Sequence, residues 1–140
     1  MKTELRTVPG AMLLALAMGG MSAGPVLADD SRWRDCRTCH MVEAPDGTVL
    51  ARGGRSGPNL YGIAGAPLAG DGDFGFYSDD LRAAAQTGAR WNADNFVAYM
   101  TDPDAFLREV TGNPDASSGM HVELRSGARE VFDYLRSLSE

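Results

Sequence analysis

The five residues Cys36-Arg37-Thr38-Cys39-His40 constrain this chain more than anything else in it. Two thiols separated by two residues and followed at once by an imidazole form a CxxCH sequence. At that spacing both cysteines can add to the vinyl groups of a haem while the histidine reaches its iron. Read this way, the fold must form around a planar, largely apolar group tied down by two thioether links, with His40 as the proximal ligand. Three other readings compete: a disulfide between Cys36 and Cys39, a thioredoxin-like redox pair and half of a zinc site. A thioredoxin-like pair needs a strand of alternating β-branched residues before it, and none stands there. A structural zinc site needs four ligands, and only His121 remains to help.

The first residues bear on the same choice. Lys2 and Arg6 precede an apolar run from Ala11 to Met21, and small residues lead to Val26-Leu27-Ala28 ahead of Asp29 and Asp30. This is the pattern of a secretory signal peptide over 1–28, cut after Ala28. As a membrane anchor it falls short, because Gly19 and Gly20 interrupt the run well before the ~20 apolar residues a spanning helix needs. Export places the protein in the periplasm with no stable membrane insertion after cleavage. The remaining domain, 29–140, carries 11 arginines and 18 acidic residues, a formal charge of −7, and no lysine. An acidic surface argues against nucleic acid and anionic membrane as partners.

Little of 29–140 alternates with a strand period, whereas several stretches have helical spacing between clusters of Gly, Pro, Asn and Asp. Ser31 is expected to cap a short helix running into the CxxCH, with Pro45-Asp46-Gly47 ending any continuation and a polar, Gly-rich stretch reaching Gly57. Asp79 or Asp80 to Gln86 is a second helix, closed by Gly88. Asn92 caps a third, with Phe96, Val97 and Met100 on one face and Asp102-Pro103 as its stop. From about Gly127 to Leu138, Val131, Tyr134, Leu135 and Leu138 form the apolar stripe of a last helix. A domain this small has limited apolar surface to bury, so a covalently held cofactor is a sound centre for its core.

An iron that cycles without rearrangement gains from a second strong ligand. Met41 is tethered too close to His40, and Met100 lies on a helical stripe where a core role explains it. Met120 stands in the loop Pro114-Asp115-Ala116-Ser117-Ser118-Gly119-Met120, where no amphipathic pattern accounts for an apolar side chain. His121 is its rival, since imidazole also binds iron.

Taken together, these features resemble the class I cytochromes c, the group of mitochondrial cytochrome c and its bacterial periplasmic relatives. The likeness runs from Cys36 almost to the C-terminus. Gly57-Pro58-Asn59-Leu60-Tyr61-Gly62 looks like the family's GPNLxG segment, which implies that the Pro58 carbonyl accepts a hydrogen bond from His40. Tyr77 and Trp91 resemble the aromatic pair that bonds a haem propionate. Phe96 to Pro103 resembles the segment before the ligand loop, with Met120 in the place of the methionine ligand. Ala66 falls where the family often has a propionate-binding arginine, leaving Arg52, Arg55 or Arg90 as substitutes, Arg55 foremost. Trp33 stands near the aromatic that packs the N-terminal helix on the last one. The resemblance implies an all-α fold of three to five helices and long loops around one covalent haem c.

It further implies a monomeric one-electron carrier with His-Met ligation and a positive potential. The lysine ring of the mitochondrial proteins is absent and the charge is reversed, so electrostatic steering calls for redox partners with a basic docking patch. Two alternatives stand beside the carrier: a ligand-binding haem protein, sensor or weak peroxidase, with a labile sixth ligand, and a dedicated electron-transfer subunit of a dehydrogenase. Asp71 and Asp73 are read as solvated turn residues, because their spacing is far from a calcium loop. With two histidines, both assigned near the haem, no Ser-His-Asp set or paired-carboxylate site can be argued, and an enzyme is not expected.

Overall fold

Asn92 shows how the helices of this chain begin. Its side chain accepts from the N–H groups of Asp94 and Asn95, and the Asn95 side chain accepts in return from the Asn92 N–H. This capping box leaves few orphan donors at the helix start. The computed structural model describes residues 30–140, so the expected signal peptide over 1–28 lies outside the described residues. Among the described residues there are four α-helices: α1 Asp79–Gln86, α2 Ala93–Thr101, α3 Pro103–Thr111 and α4 Ala128–Ser137. Ser78 caps α1 by accepting from Leu81 N–H at 3.1 Å, and Asp102 caps α3 by accepting from Ala105 N–H at 2.8 Å.

Asp102 ends α2 and starts α3, making a sharp corner. Sequence reading takes Asp102-Pro103 only as a stop. Proline in the first turn of a helix is favourable, because its missing N–H has no helical partner there anyway. Gly112, at φ 71°, closes α3 in the left-handed conformation common at helix ends.

Two further differences concern the first third of the domain. The segment before the CxxCH is a 3-10 turn, Asp30–Asp35, and Ser31 sits inside it rather than ahead of it. The polar stretch after Met41 contains a small antiparallel hairpin, β1 Val42–Glu43 and β2 Val49–Ala51, pairing Val42 with Ala51 and Glu43 with Val49. Asp46 accepts from Thr48 N–H at 2.9 Å in its turn. Strands of two and three residues are too short to display an alternating pattern.

The core gathers where α2 meets α3 and α4. Trp91 stacks on Phe106 at 6.1 Å and meets Tyr99 edge-on at 5.1 Å, while Phe96 contacts Phe132 at 5.3 Å. On α4, Val131 and Leu135 are fully buried, each worth about 2 kcal/mol of apolar burial. Trp33 packs against Tyr134 with ring centroids 6.4 Å apart and donates its indole N–H to the Arg52 carbonyl at 3.0 Å. The two ends of the domain are thereby joined despite the shortness of the first turn.

Candidate haem-binding site

The CxxCH folds as a single helical turn. The Trp33 carbonyl accepts from Cys36 and Arg37 N–H groups, and the Cys36 carbonyl accepts from those of Cys39 and His40, all at 2.9–3.1 Å. This turn holds two half-buried thiols and the imidazole close together, and the thiols are free rather than joined as a disulfide. A glycine-rich strap then crosses the turn, with Gly54 N–H donating to the Arg37 carbonyl and Gly57 N–H to that of Cys39, both at 2.8 Å. The approach excludes larger residues: a Cβ on Gly57 would stand 2.7 Å from His40 Nδ1, and one on Gly53 would stand 2.8 Å from the Arg37 carbonyl oxygen.

His40 Nδ1 lies 2.8 Å from the Pro58 carbonyl oxygen. A carbonyl only accepts, so Nδ1 carries the proton and Nε2 keeps a free lone pair. Burial lowers the pKa of His40, against a smaller upward pull from the Pro58 bond, so the neutral, metal-binding form is favoured. Burial, with Asp35 nearby, pushes the Cys36 thiol up to about 11.

Pro58 is placed by its neighbour. Asn59 exchanges hydrogen bonds with the Glu43 backbone at 2.8 and 3.0 Å, and its N–H donates to Asp71 Oδ2 at 2.9 Å. Asp71 also accepts from Asp73 N–H and donates its own N–H to Tyr77 Oη, both at 3.1 Å. Asp71 is thus more than a solvated turn residue: it ties the Pro58 loop to the 70–77 loop. The span between Asp71 and Asn59 left no local sign of this.

Cys36, Cys39 and His40 line a cavity of about 950 Å³. Leu60, Ile63, Trp91, Met100, Leu135 and Met120 are among its other walls, and they are largely apolar. Met120 is half-buried and packs on the core, whereas His121 is exposed at the edge of the same cavity. The buried Ser118 hydroxyl accepts from Met120 N–H at 3.0 Å and donates to the Met120 carbonyl at 2.9 Å. Met100, though chiefly a core residue at 4% exposure, also touches the cavity.

Tyr77 and Trp91 both line this space. Trp91 is nearly buried, at 8% exposure. Arg55 does not line this cavity but stands at a smaller pocket with Gly57 and Asn59. Its guanidinium pairs with Glu43 at 2.8 Å and is 75% exposed. Arg90 donates to the Gly65 carbonyl at 2.7 Å, and neither it nor Arg52 lines the cavity.

These residues fit a haem. Two unpaired thiols and an imidazole with a free Nε2 share one wall system, the rest is mainly apolar, and the volume lies within the ~300–1,000 Å³ usual for cofactor pockets.

No family model matches the chain. Among curated proteins it is 43% identical over 135 residues to cytochrome c-551 of Roseobacter denitrificans, covering 92% of this chain and 94% of that protein. It is 35% identical over 132 residues to cytochrome c2 of Rhodobacter capsulatus, covering 94% and 93%. The solved structure of that cytochrome c2 superposes with a TM-score of 0.76 over 79% of this chain and 95% of its own, at 35% identity. Ferric cytochrome c-550 from Paracoccus versutus gives 0.75 at 34% identity, over 79% and 94%. With the CxxCH turn, the Pro58-bonded histidine and the apolar cavity already in place, these likenesses establish that the chain belongs to the class I bacterial cytochromes c of the c2, c-550 and c-551 type, electron carriers with one covalently bound haem c.

Proposed function

We propose that this protein is exported, cut after Ala28, and works in the periplasm as a monomeric one-electron carrier with His40 and Met120 as axial ligands. The observation that carries the reading is that both free thiols, a histidine with its Nδ1 proton engaged, and a loop methionine line one apolar cavity. When bound, the haem supplies a one-electron iron couple. Cys36 and Cys39 would fix it through thioethers, and the Pro58 carbonyl would orient His40 and make it a stronger donor. The half-buried position of Met120 favours it over the exposed His121 as the second ligand. Tyr77 and Trp91 would offer hydrogen bonds to a propionate. No helix among the described residues is long and apolar enough to cross a membrane, which suits a diffusible carrier. The charge of −7 over 29–140 favours partners presenting a basic patch.

The test is the absorption spectrum of the protein purified from a periplasmic fraction, including the weak far-red band that reports methionine sulfur on ferric haem. The band should be present in the wild type and lost in Met120→Ala. Its absence from the wild type would favour an open or His121-ligated site instead, and carbon monoxide binding by the native ferrous form would favour an open or loosely ligated one.

A further inference from the structure

Between Thr111 and Ala128 the chain has no regular secondary structure, yet Met120 must be held in one place for its sulfur to serve. Two consecutive N–H groups in this loop go to carboxylates on two different helices. Ser117 N–H donates to Asp80 Oδ2 at 2.9 Å, and Ser118 N–H donates to Asp104 Oδ1 at 2.8 Å. The other oxygen of Asp80 accepts from the Asn113 side chain at 3.1 Å, nearer the start of the same loop.

The two aspartates occupy equivalent positions. Each is the second residue of its helix, and in each case another residue, Ser78 or Asp102, already caps that helix. Asp80 and Asp104 are therefore not needed as caps. The helix dipole favours negative charge at both places, and hydrogen bonds to a carboxylate are stronger than those between neutral groups. Asp104 has one further neighbour of opposite charge, Arg108 at 3.9 Å. From Ser118 the connection continues inward, because its hydroxyl engages both the N–H and the carbonyl of Met120.

We propose that Asp80 and Asp104 are positioning residues for Met120, forming a two-point carboxylate clamp that keeps the ligand loop closed against small exogenous ligands. The inference rests on the reading of Met120 as an axial ligand. A ligand that displaces the methionine must wait for the loop to open, so its apparent affinity scales with the fraction of open loop. Replacing a carboxylate by the isosteric amide keeps size and an acceptor oxygen and removes the charge.

The experiment uses the ferric holoprotein and imidazole as the probe. Asp80→Asn and Asp104→Asn are each expected to bind imidazole about tenfold more tightly than wild type, the equivalent of weakening one charge-assisted bond to the loop. Amide exchange at Ser117 and Ser118 should accelerate in the same variants, while Val131 and Leu135 on α4 keep their wild-type rates. Asp94→Asn, which removes a surface partner of Arg129, should change neither quantity. Unchanged imidazole affinity in both clamp variants would overturn the proposal, as would exchange that rises equally in the loop and in α4. Met120→Ala separates the two ideas. Should it bind imidazole no better than wild type, Met120 is not the displaced ligand, and both the ligation reading and the clamp built on it fall. Should it bind far more tightly while the clamp variants match wild type, ligation stands and the clamp alone fails.

Discussion

The segment bearing His40 and the segment bearing Met120 line the same cavity, but they are held in unlike ways. Around His40 the constraints are mostly main-chain and local: a helical turn, a glycine strap crossing it, and a proline carbonyl 2.8 Å from Nδ1. Around Met120 they are side-chain bonds, a local one from Ser118 and others reaching in from Asp80 and Asp104. Main-chain contacts against glycine leave almost no room to yield, whereas a loop held by side chains can open without unfolding the domain. The difference teaches that one segment is built to stay and the other to be adjustable.

The same substitution placed in both segments sharpens this contrast. Gly57→Ala should have the largest effect, destabilising by about 3 kcal/mol, because the new Cβ must displace the His40 ring or the strap itself. Guanidinium titration followed by circular dichroism measures it, and a loss below about 1 kcal/mol would mean that the strap is softer than its contacts imply. Ser118→Ala comes next. It strips the Met120 N–H of its acceptor within the buried side of the loop and should cost about 2 kcal/mol, a fall of about 8 °C in Tm, with a weakened far-red band. Gly119→Ala should be milder still, at about 1 kcal/mol. Its cause is conformational, since φ is 72° while the nearest atom to a new Cβ is 3.8 Å away. Were Gly119→Ala to prove as damaging as Gly57→Ala, the loop would be as rigid as the strap.

The contrast also explains what could be read in the sequence. CxxCH and Gly57-Pro58 are short contiguous strings, and the bonds they make join residues that the strings themselves name. Helices α1, α2 and α4 announced themselves through Asp79 or Asp80 with Gly88, Asn92 and the Val131 to Leu138 stripe. Helix α3 was legible in principle, since aspartate before proline is a start signal as well as a stop. It was hidden because Asp102 serves both purposes. The clamp was not legible at all: Asp80 and Ser117 lie 37 positions apart, and nothing in either neighbourhood marks the other. The pairing of Arg55 with Glu43 was hidden for a related reason, because the fold of the hairpin brings that carboxylate to it.

The smallest expected effect at neutral pH lies at Tyr99, a buried residue of α2 that lines the cavity beside Ser118. Burial raises the pKa of Tyr99, outweighing the bond to Ser118, which lowers it, and the nearby Asp104 charge raises it further. An unfolded tyrosine loses its proton near pH 10. A folded value above that means the native state holds the proton more tightly, so the associated stability is fully present below about pH 10. It is lost as pH rises through the folded value. Unfolding free energy should therefore be nearly flat from pH 7 to 9 on account of this residue and fall more steeply beyond 10. In Tyr99→Phe there is no group here left to ionise, and the alkaline fall should become shallower. Denaturant midpoints taken across pH 8–12 on both proteins give the two slopes. Equal slopes would mean that Tyr99 ionises without cost and that the Met120 side of the cavity is wetter than its packing implies.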